Sequence, residues 1–216
     1  MLALIGWWRF FYFFRDPERL IPTGKNIVSR ADGVIIYIKR IEEGIIPIST
    51  KNKKEIPLEE ITKLNLNDIF KRGYIIGIFM SLWDVHINRA PISGTIRKIF
   101  YFSTTKNFSM VKLTINNLLK KKRLLPQDPL YLFRNERNTI FIEGEIPICV
   151  VQIADEYVNK IICWKREGDY VEKGERIGLI QMGSQVDLLV PHIDSLGIKV
   201  KEGMHVKAGE SILAIY

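Results

Sequence analysis

Cysteine is scarce in this chain, which has only Cys149 and Cys163 among its 216 residues. Two cysteines are too few for a disulfide-stapled scaffold or for a zinc module built from cysteine, so both classes are excluded. Histidine is almost as scarce, and the three histidines leave few ways to build a His-rich metal site. We therefore expect no metal in the functional site.

Acidic residues are outnumbered by basic ones, 24 against 32, which gives the chain a net charge of +8. A basic surface attracts nucleic acid or anionic lipid. Two lysine-rich runs, at residues 51–54 and 120–123, carry much of the excess positive charge. They either attract such a partner or form only a solvated face. Since neither run is interleaved with the aromatic residues of an RNA-binding motif, we do not expect nucleic acid as a partner.

The N-terminus is apolar and aromatic. Residues 1–8 are nearly all apolar, and five aromatic residues follow Arg9. The stretch is shorter than the roughly 20 apolar residues of a transmembrane helix, and it lacks the charged start and the cleavage site of a signal peptide. Aromatic residues between arginines suit a membrane interface, so we predict a membrane-associated segment at 1–22 in front of a domain at 23–216. The alternative is a helix packed on the domain's own core.

Short β-branched or aromatic runs, separated by glycine- or asparagine-containing turns, predict a mainly β fold. Residues 58–70 instead have helical spacing of their apolar side chains and are predicted as a helix. Residues 118–132 have the composition of a basic loop. The predicted strands lie at 34–38, 74–80, 96–102, 110–115, 138–142 and 146–154.

The last third of the chain contains a repeat. Residues 167–180 and 202–215 align at an offset of 35 residues, with seven identities in fourteen positions. Each copy has two glycine turns around a valine and then an alternating apolar strand, and glycine supplies the left-handed backbone that such turns need. The pattern resembles the two halves of a lipoyl- or biotinyl-type barrel-sandwich hybrid. We therefore predict a mainly β fold with a few helices, built as a β-sandwich of this type.

Six short motifs follow one another along nearly the whole chain. They are F-F-R-D-P at 13–17, A-D-G at 31–33, F-M-S-x-x-D-V-H-x-N-R-A-P at 79–91, E-R-N at 136–138, Q-I-A at 152–154 and G-S-x-V-D at 183–187. A Gly-Ser pair alone carries no weight, because most such pairs are turns. In this series, however, the motifs resemble the phosphatidylserine decarboxylase proenzyme family in its short bacterial and archaeal form.

The resemblance implies self-cleavage between Gly183 and Ser184, into a β chain of residues 1–183 and an α chain of residues 184–216. Ser184 then becomes a covalent pyruvoyl cofactor, which forms a Schiff base with the substrate and takes up the electrons released by decarboxylation. The implied reaction converts phosphatidylserine to phosphatidylethanolamine and CO2 in phospholipid biosynthesis. Glycine at 183 suits the cleavage step, since it has no Cβ to hinder attack on its carbonyl group.

A serine hydroxyl needs a base to become a good nucleophile, and His86 is the histidine that lies in a family motif. By the same resemblance, Asp32 orients His86, which gives a Ser-His-Asp arrangement in the chain order Asp32, His86, Ser184. Asp84 is an alternative orienting residue. One intervening residue would place the side chains of Asp84 and His86 on the same face of an extended segment.

Three residues are further candidates for substrate binding: Arg89, Asp84 and His192. Many long-form members of the family carry a second histidine where this chain has Arg89, so either His86 also protonates the carbanion or another group does. The planar guanidinium of Arg89 could hold the substrate phosphate or carboxylate, or it could form a buried ion pair. His192 follows the predicted cleavage point by eight residues, whereas His205 lies in a repeat turn and is expected to be exposed.

The implied partners are phosphatidylserine in the membrane and the protein's own fragments, held as an α/β heterodimer that can pair further. A lipid with two acyl chains does not readily leave the bilayer. We therefore expect a peripheral protein on the cytoplasmic side of the cell membrane.

Two other functions remain open at this point. A lipoyl or biotinyl carrier module would present a lysine at the tip of the hairpin between the two repeats, but residues 181–199 contain no Met-Lys-Met or Asp-Lys pair. A zinc hydrolase on a related fold would need a ligand pair such as His-x-His, which the chain does not have. Only the decarboxylase hypothesis predicts that the purified protein consists of two fragments.

Overall fold

The computed structural model describes residues 11–49, 54–66, 68–104, 107, 131–155, 161–181 and 184–216. Within these ranges the chain is mainly β, which confirms the predicted fold class at that level. The strands are β1 (Asn26–Val28), β2 (Gly33–Glu42), β3 (Ile45–Ser49), β4 (Lys54–Pro57), β5 (Arg72–Met80), β6 (Ile87–Arg89), β7 (Gly94–Phe102), β8 (Arg137–Gly144), β9 (Pro147–Ala154), β10 (Ile161–Cys163), β11 (Tyr170–Val171), β12 (Arg176–Ile180), β13 (Ser184–Pro191), β14 (Gly197–Ile198), β15 (His205–Val206) and β16 (Ile212–Ile215). The helices are α1 (Leu58–Thr62) and α2 (Tyr131–Arg134).

The strands form three antiparallel sheets. The large sheet has the order β11-β7-β8-β9-β13-β5-β2-β3-β4, and β15 also pairs with β2. The two small sheets have the orders β1-β16-β14 and β10-β12-β6. Strand β13 is central in the large sheet, paired along its whole length with β5 and over six residues with β9.

The two copies of the repeat have matching places in the fold. In the first copy β11 pairs with β7 and β12 with β6, whereas in the second β15 pairs with β2 and β16 with β1. The turns are bound alike, because Gly168 donates its N–H to Ile96 at 2.7 Å and Gly203 donates to Ile35 at 2.8 Å. All four repeat glycines have φ between 75° and 93°, which confirms the predicted left-handed turns.

Two hydrophobic clusters lie on opposite faces of the central strands, because side chains alternate between faces along a strand. Ile76 and Ile78 of β5 belong to the cluster that faces the small sheets. Ile75 of the same strand belongs to the other cluster, which α1 covers with Leu58 and Ile61. The fold therefore buries β5 and its neighbour β13 on both sides.

The predicted helix at 58–70 is much shorter in the structure. It ends at Thr62, because Lys63 has a left-handed backbone (φ 56°) and donates its N–H back to Glu59 at 2.7 Å. The predicted strand at 110–115 lies outside the described residues, as does most of the predicted basic loop. The other predicted strands are found, each starting within one or two residues of its expected start, and β2 continues four residues beyond its expected end.

The described part of the N-terminal segment packs against the rest of the chain. Phe13 is fully buried, and Asp16 forms ion pairs with Arg89 and Arg176. Arg19 pairs with Asp32. Residues 11–19 are therefore part of the folded body, whereas residues 1–10 lie outside the described residues. Among the described helices, none has the length and apolar character needed to span a bilayer.

Candidate active site

Ser184 lies at one end of the large sheet, where three neighbouring strands begin or end together. It is the first residue of β13, and its partners are Met80 at the end of β5 and Ala154 at the end of β9. Ser184 is fully buried, and its Oγ lies 3.3 Å from the Met80 sulfur. The other half of the predicted cleavage site, Gly183, lies outside the described residues.

His86 sits in the loop that leaves β5 directly after Met80. Its Nδ1 lies 2.9 Å from the backbone oxygen of Asp84. A carbonyl oxygen only accepts hydrogen bonds, so Nδ1 carries the proton and Nε2 presents a lone pair. Nε2 is buried and has no hydrogen-bond partner among the described residues. The ring is therefore a neutral imidazole with a free acceptor, which is the state that a general base requires.

Burial lowers the pKa of His86 to about 4, and the hydrogen bond to the Asp84 oxygen opposes this shift. The ring of Phe13 contributes to the burial, since its centroid lies 4.1 Å from that of His86. His86 consequently stays neutral at physiological pH, at the expense of some proton affinity.

The segment that contains the predicted cleavage bond begins and ends beside the His86 loop. Ile180, the last residue of β12, donates its N–H to the His86 carbonyl oxygen at 3.3 Å. Four residues later Ser184 pairs with Met80, after which the His86 loop begins. The tertiary structure thus holds both ends of this segment close to the one loop.

Asp84 holds the His86 loop in shape. Its Oδ2 accepts hydrogen bonds from the backbone N–H of Ser81 at 2.8 Å and from the Ser81 hydroxyl at 2.7 Å. Its Oδ1 lies 2.8 Å from Nε2 of His205, whose side chain is 53% exposed. His205 is thus a partner of this loop, which its sequence position did not reveal. The contact between Asp84 and His86 is made through the Asp84 backbone oxygen rather than through its carboxylate.

A buried chain of amides approaches Ser184 from the other side. Asn138 donates to the side-chain oxygen of Gln152 at 2.9 Å, and Gln152 donates to Asn88 at 2.7 Å. The amide nitrogen of Asn88 lies 3.8 Å from the Met80 sulfur, which also contacts Ser184. These amides belong to three of the sequence motifs, but their mutual contact was not predicted.

Asp32 lies at the same end of the large sheet as Ser184 but is bound elsewhere. Arg19 pairs with its carboxylate at 2.7 Å, and the N–H of Ala208 donates to it at 2.7 Å. None of the described hydrogen bonds joins Asp32 to His86. The predicted orienting contact is therefore not formed in this structure, because Asp32 faces the Arg19 guanidinium instead.

The glycine of the A-D-G motif has a steric role. Gly33 has φ 153°, and a Cβ at this position would come within 2.2 Å of the backbone oxygen of Phe79. A side chain here would push β2 away from the end of β5. Gly33 thus keeps the Asp32 turn close to the strand that leads into the His86 loop.

Arg89 is buried and ion-paired in this structure, which favours the second of its two open roles. It donates to the Gly174 oxygen at 3.0 Å, to the Asp16 carboxylate at 2.9 Å and to the Pro17 oxygen at 3.2 Å. Its guanidinium therefore joins the N-terminal segment to a turn of the first repeat.

We expect Arg89→Met to lower the free energy of unfolding by about 1–3 kcal/mol, because it leaves the Gly174 and Pro17 oxygens without their donor and removes one of the two ion pairs of Asp16. Arg30→Met is the matched control: Arg30 is also buried, but within the described part of the chain none of its side-chain nitrogens has a hydrogen-bond partner. That change should be neutral or stabilising, since burying an unpaired guanidinium is costly. Chemical denaturation of both variants measures these changes in the free energy of unfolding. Unchanged stability of Arg89→Met with lost activity would instead support a substrate contact.

His192 lies far from Ser184, so the structure does not bring this candidate for substrate binding to the site. It follows β13, which is extended from Ser184 to Pro191. Seven steps of an antiparallel strand span about 24 Å. His192 lies at that far end, where its N–H binds the oxygen of Arg72 at 2.9 Å.

Asp187, from the same motif as Ser184, points to the opposite face of the sheet. Its Oδ1 accepts hydrogen bonds from the Tyr37 hydroxyl at 2.6 Å and the Gln185 amide at 2.7 Å. Burial raises the pKa of Asp187 to about 6, and these two hydrogen bonds act in the opposite direction. The Asp187 carboxylate therefore stabilises the sheet behind the site and does not take part in the chemistry at Ser184.

Comparison with known proteins gives the family. The family model described as phosphatidylserine decarboxylase matches residues 8–214. The chain belongs to the phosphatidylserine decarboxylase family. A phosphatidylserine decarboxylase proenzyme of a Wolbachia from Brugia malayi is 36% identical, and the alignment covers 94% of this chain and 74% of the relative. The corresponding proenzyme of Geobacter sulfurreducens is 34% identical, with 94% and 76% covered.

An archaeal member of the same family is equally similar. A proenzyme of Methanocaldococcus jannaschii, named for archaetidylserine, is 36% identical over 94% of this chain and 88% of its own length. Family membership confirms the resemblance that the six motifs predicted. The names of these relatives are also those of decarboxylases made as proenzymes, which agrees with the site found around Ser184.

Proposed function

We propose that this chain is the precursor of a pyruvoyl-dependent phosphatidylserine decarboxylase, which forms phosphatidylethanolamine and CO2. The observation that carries the proposal is the buried lone pair on His86 Nε2, in the loop that contacts both ends of the segment around the Gly183–Ser184 bond. Family membership supplies the decarboxylase chemistry, and the local geometry supports Ser184 as the residue that is processed.

In the proposed processing reaction, the Ser184 hydroxyl attacks the Gly183 carbonyl carbon while His86 accepts the hydroxyl proton. The peptide bond shifts to an ester, and the amino group of residue 184 is released. Loss of the Cα proton then breaks the Cβ–Oγ bond, which leaves a carboxylate on Gly183 and dehydroalanine at 184. Addition of water and loss of ammonia turn the dehydroalanine into the pyruvoyl group.

The residues around Ser184 suit a pyruvoyl group. Ser184 is fully buried between β5 and β9, so water has little access to the ester. When formed, the pyruvoyl carbonyl supplies an electron sink for the carbanion left by CO2. His86 is the residue proposed to hold and return the proton at its Nε2. Asp32 stays in the proposal as the nearby acidic group, whereas the Asp84 backbone oxygen orients His86.

The two fragments should remain together after cleavage. The small fragment would begin with β13, which is buried along its whole length between β5 and β9 of the large fragment. Its later strands β15 and β16 pair with β2 and β1. We propose an α/β heterodimer held by these sheets, with the repeat arranged as a barrel-sandwich hybrid.

We also propose a peripheral enzyme on the cytoplasmic face of the membrane. The substrate is a membrane lipid, and the net charge of +8 favours an anionic leaflet. In this arrangement the membrane contact lies within residues 1–22, of which residues 11–19 also pack against the catalytic domain formed by residues 23–216. The packing of Phe13 on His86 places the end of this segment directly behind the catalytic loop.

The carrier-module alternative is not favoured. A carrier presents its modified lysine on an exposed hairpin between the repeats. In this chain the region between the repeats contains β13, a buried central strand, and Lys199 is the one lysine between residues 181 and 199.

The proposal is tested by the intact mass of the purified protein. We expect two polypeptides, of residues 1–183 and 184–216, in place of one chain of 25.1 kDa. The smaller one should resist Edman sequencing, because a pyruvoyl cap leaves no free amine. An uncut chain that decarboxylates phosphatidylserine would contradict the proposal.

A further inference from the structure

Large apolar side chains are exposed on the outer surface of the His86 loop and on the segment next to it. Trp83 is 66% exposed, Leu82 is 37% exposed and Phe11 is 71% exposed. We call these three residues the docking patch. Large exposed apolar side chains that are grouped on a protein surface are typical of an interaction site.

The patch is one structural unit. Tyr12 packs edge-on against Trp83, with 6.2 Å between the ring centroids. Arg15 lies over the Tyr12 ring at 3.9 Å and donates a hydrogen bond to the Trp83 backbone oxygen. Phe11 and Phe13 have opposite surroundings, since Phe11 is exposed whereas Phe13 is fully buried against His86. The same short segment therefore has one face in the protein and one outside it.

We propose that the docking patch inserts into the interface of an anionic phospholipid bilayer, so that the loop that carries His86 is itself a membrane anchor. This inference rests on the proposed function and specifies how that site reaches its lipid. Trp and Phe side chains are favoured at the boundary between headgroups and acyl chains.

Charge complementarity favours lipid as the occupant. The Arg15 guanidinium lies at the edge of the patch, where it can pair with a headgroup phosphate or carboxylate. In the sequence, Phe11 is preceded by three further aromatic residues and by Arg9. An apolar surface bordered by arginine matches the layered chemistry of a bilayer interface.

The position of the patch gives it a functional consequence. Leu82 and Trp83 are separated from His86 by only a few residues, and Asp84 fixes the turn between them. Docking would therefore hold the active-site loop at the depth of the lipid headgroup. A lipid would need to leave the bilayer only partly to reach Ser184.

The test compares the full-length protein with a Leu82→Ser/Trp83→Ser double variant, by sedimentation with vesicles of phosphatidylserine and phosphatidylcholine. We expect binding at least about tenfold weaker, since two apolar side chains no longer enter the interface. The loss should persist at about 1 M salt, where charges are screened beyond about 3 Å. Trp164→Ser is the matched control, because Trp164 is 47% exposed but lies outside the patch, and it should bind normally.

Equal vesicle binding by the double variant and the parent would overturn the inference. Cleavage at Gly183–Ser184 is followed on a gel in the same samples. The double variant should be cleaved like its parent, since neither side chain contacts Ser184. An uncut parent that still binds vesicles through the patch would count against the proposed function alone, so the two failures can be distinguished.

A second measurement leaves the patch intact. Trp7, Trp8 and Trp164 are replaced by Phe, so that Trp83 is the one remaining tryptophan. Its fluorescence should shift to the blue on addition of vesicles and should be quenched by lipids brominated on their acyl chains. Absence of quenching in vesicle-bound protein would contradict insertion of Trp83.

Discussion

Ser184→Ala should abolish both cleavage and decarboxylation. The variant lacks the hydroxyl that attacks Gly183 and the atoms from which the pyruvoyl group forms, so a single chain of 25.1 kDa is expected on gels and by mass spectrometry. Activity should fall to the background of the assay. The fold should survive, because Ser184 Oγ makes only a weak contact with the Met80 sulfur, worth at most about 1 kcal/mol.

Two variants serve as controls for this result. Ser93→Ala removes the hydroxyl that accepts the N–H of Lys173 in an exposed turn, and it should be cleaved at the normal rate. Ser184→Cys retains a nucleophile that can form a thioester, so added hydroxylamine should cut it between residues 183 and 184. Cleavage of Ser184→Ala at its normal position would show that another residue is the nucleophile.

His86→Ala should slow cleavage by a factor of about 100 to 10,000, the usual contribution of a general base. The reason is that Nε2 is the buried acceptor beside the processing segment. The rate is measured by following conversion of freshly refolded precursor on gels. His192→Ala is the matched control and should be cleaved normally, since His192 lies at the far end of β13. Normal cleavage of His86→Ala would remove His86 from the mechanism.

The pH dependence of cleavage gives an independent check of His86. Its pKa is lowered to about 4, so the neutral base is present throughout the range above this value. Cleavage should therefore vary little between about pH 7 and pH 5 and should fall as pH approaches about 4. A rate that halves near the ordinary histidine pKa of about 6.5 would indicate an exposed base instead.

The same shift predicts how stability depends on pH. The unfolded chain binds a proton at His86 below about pH 6.5, whereas the folded chain binds it only below about pH 4. The folded state should therefore lose stability as pH falls through this window, by on the order of 3 kcal/mol. In the His86→Ala variant this component should be missing, which denaturant titrations at several pH values can measure.

Local features of the sequence were sufficient for most of the strands and for the repeat. The β-branched and aromatic run at 74–80 was sufficient to predict β5, because such residues favour an extended backbone, whereas β13 was not among the predicted strands. The glycines of the repeat were predicted correctly for a similar reason, since a left-handed turn is decided by the residue that occupies it. The length of α1 was overestimated, because the spacing of apolar residues does not reveal that the helix ends before Lys63.

The sequence by itself determined the family and supplied the candidate residues of the predicted cleavage site and its histidine, because these depend on residue types in a fixed order. The tertiary structure decided which atoms meet. It paired Asp32 with Arg19 and Ala208, gave His86 the Asp84 backbone oxygen, and placed Phe13 on the imidazole ring. These contacts join residues up to 176 positions apart, and they depend on how the sheets bring strand ends together. No local pattern of residues encodes that arrangement, so the protonation state of His86 could be inferred only from the folded chain.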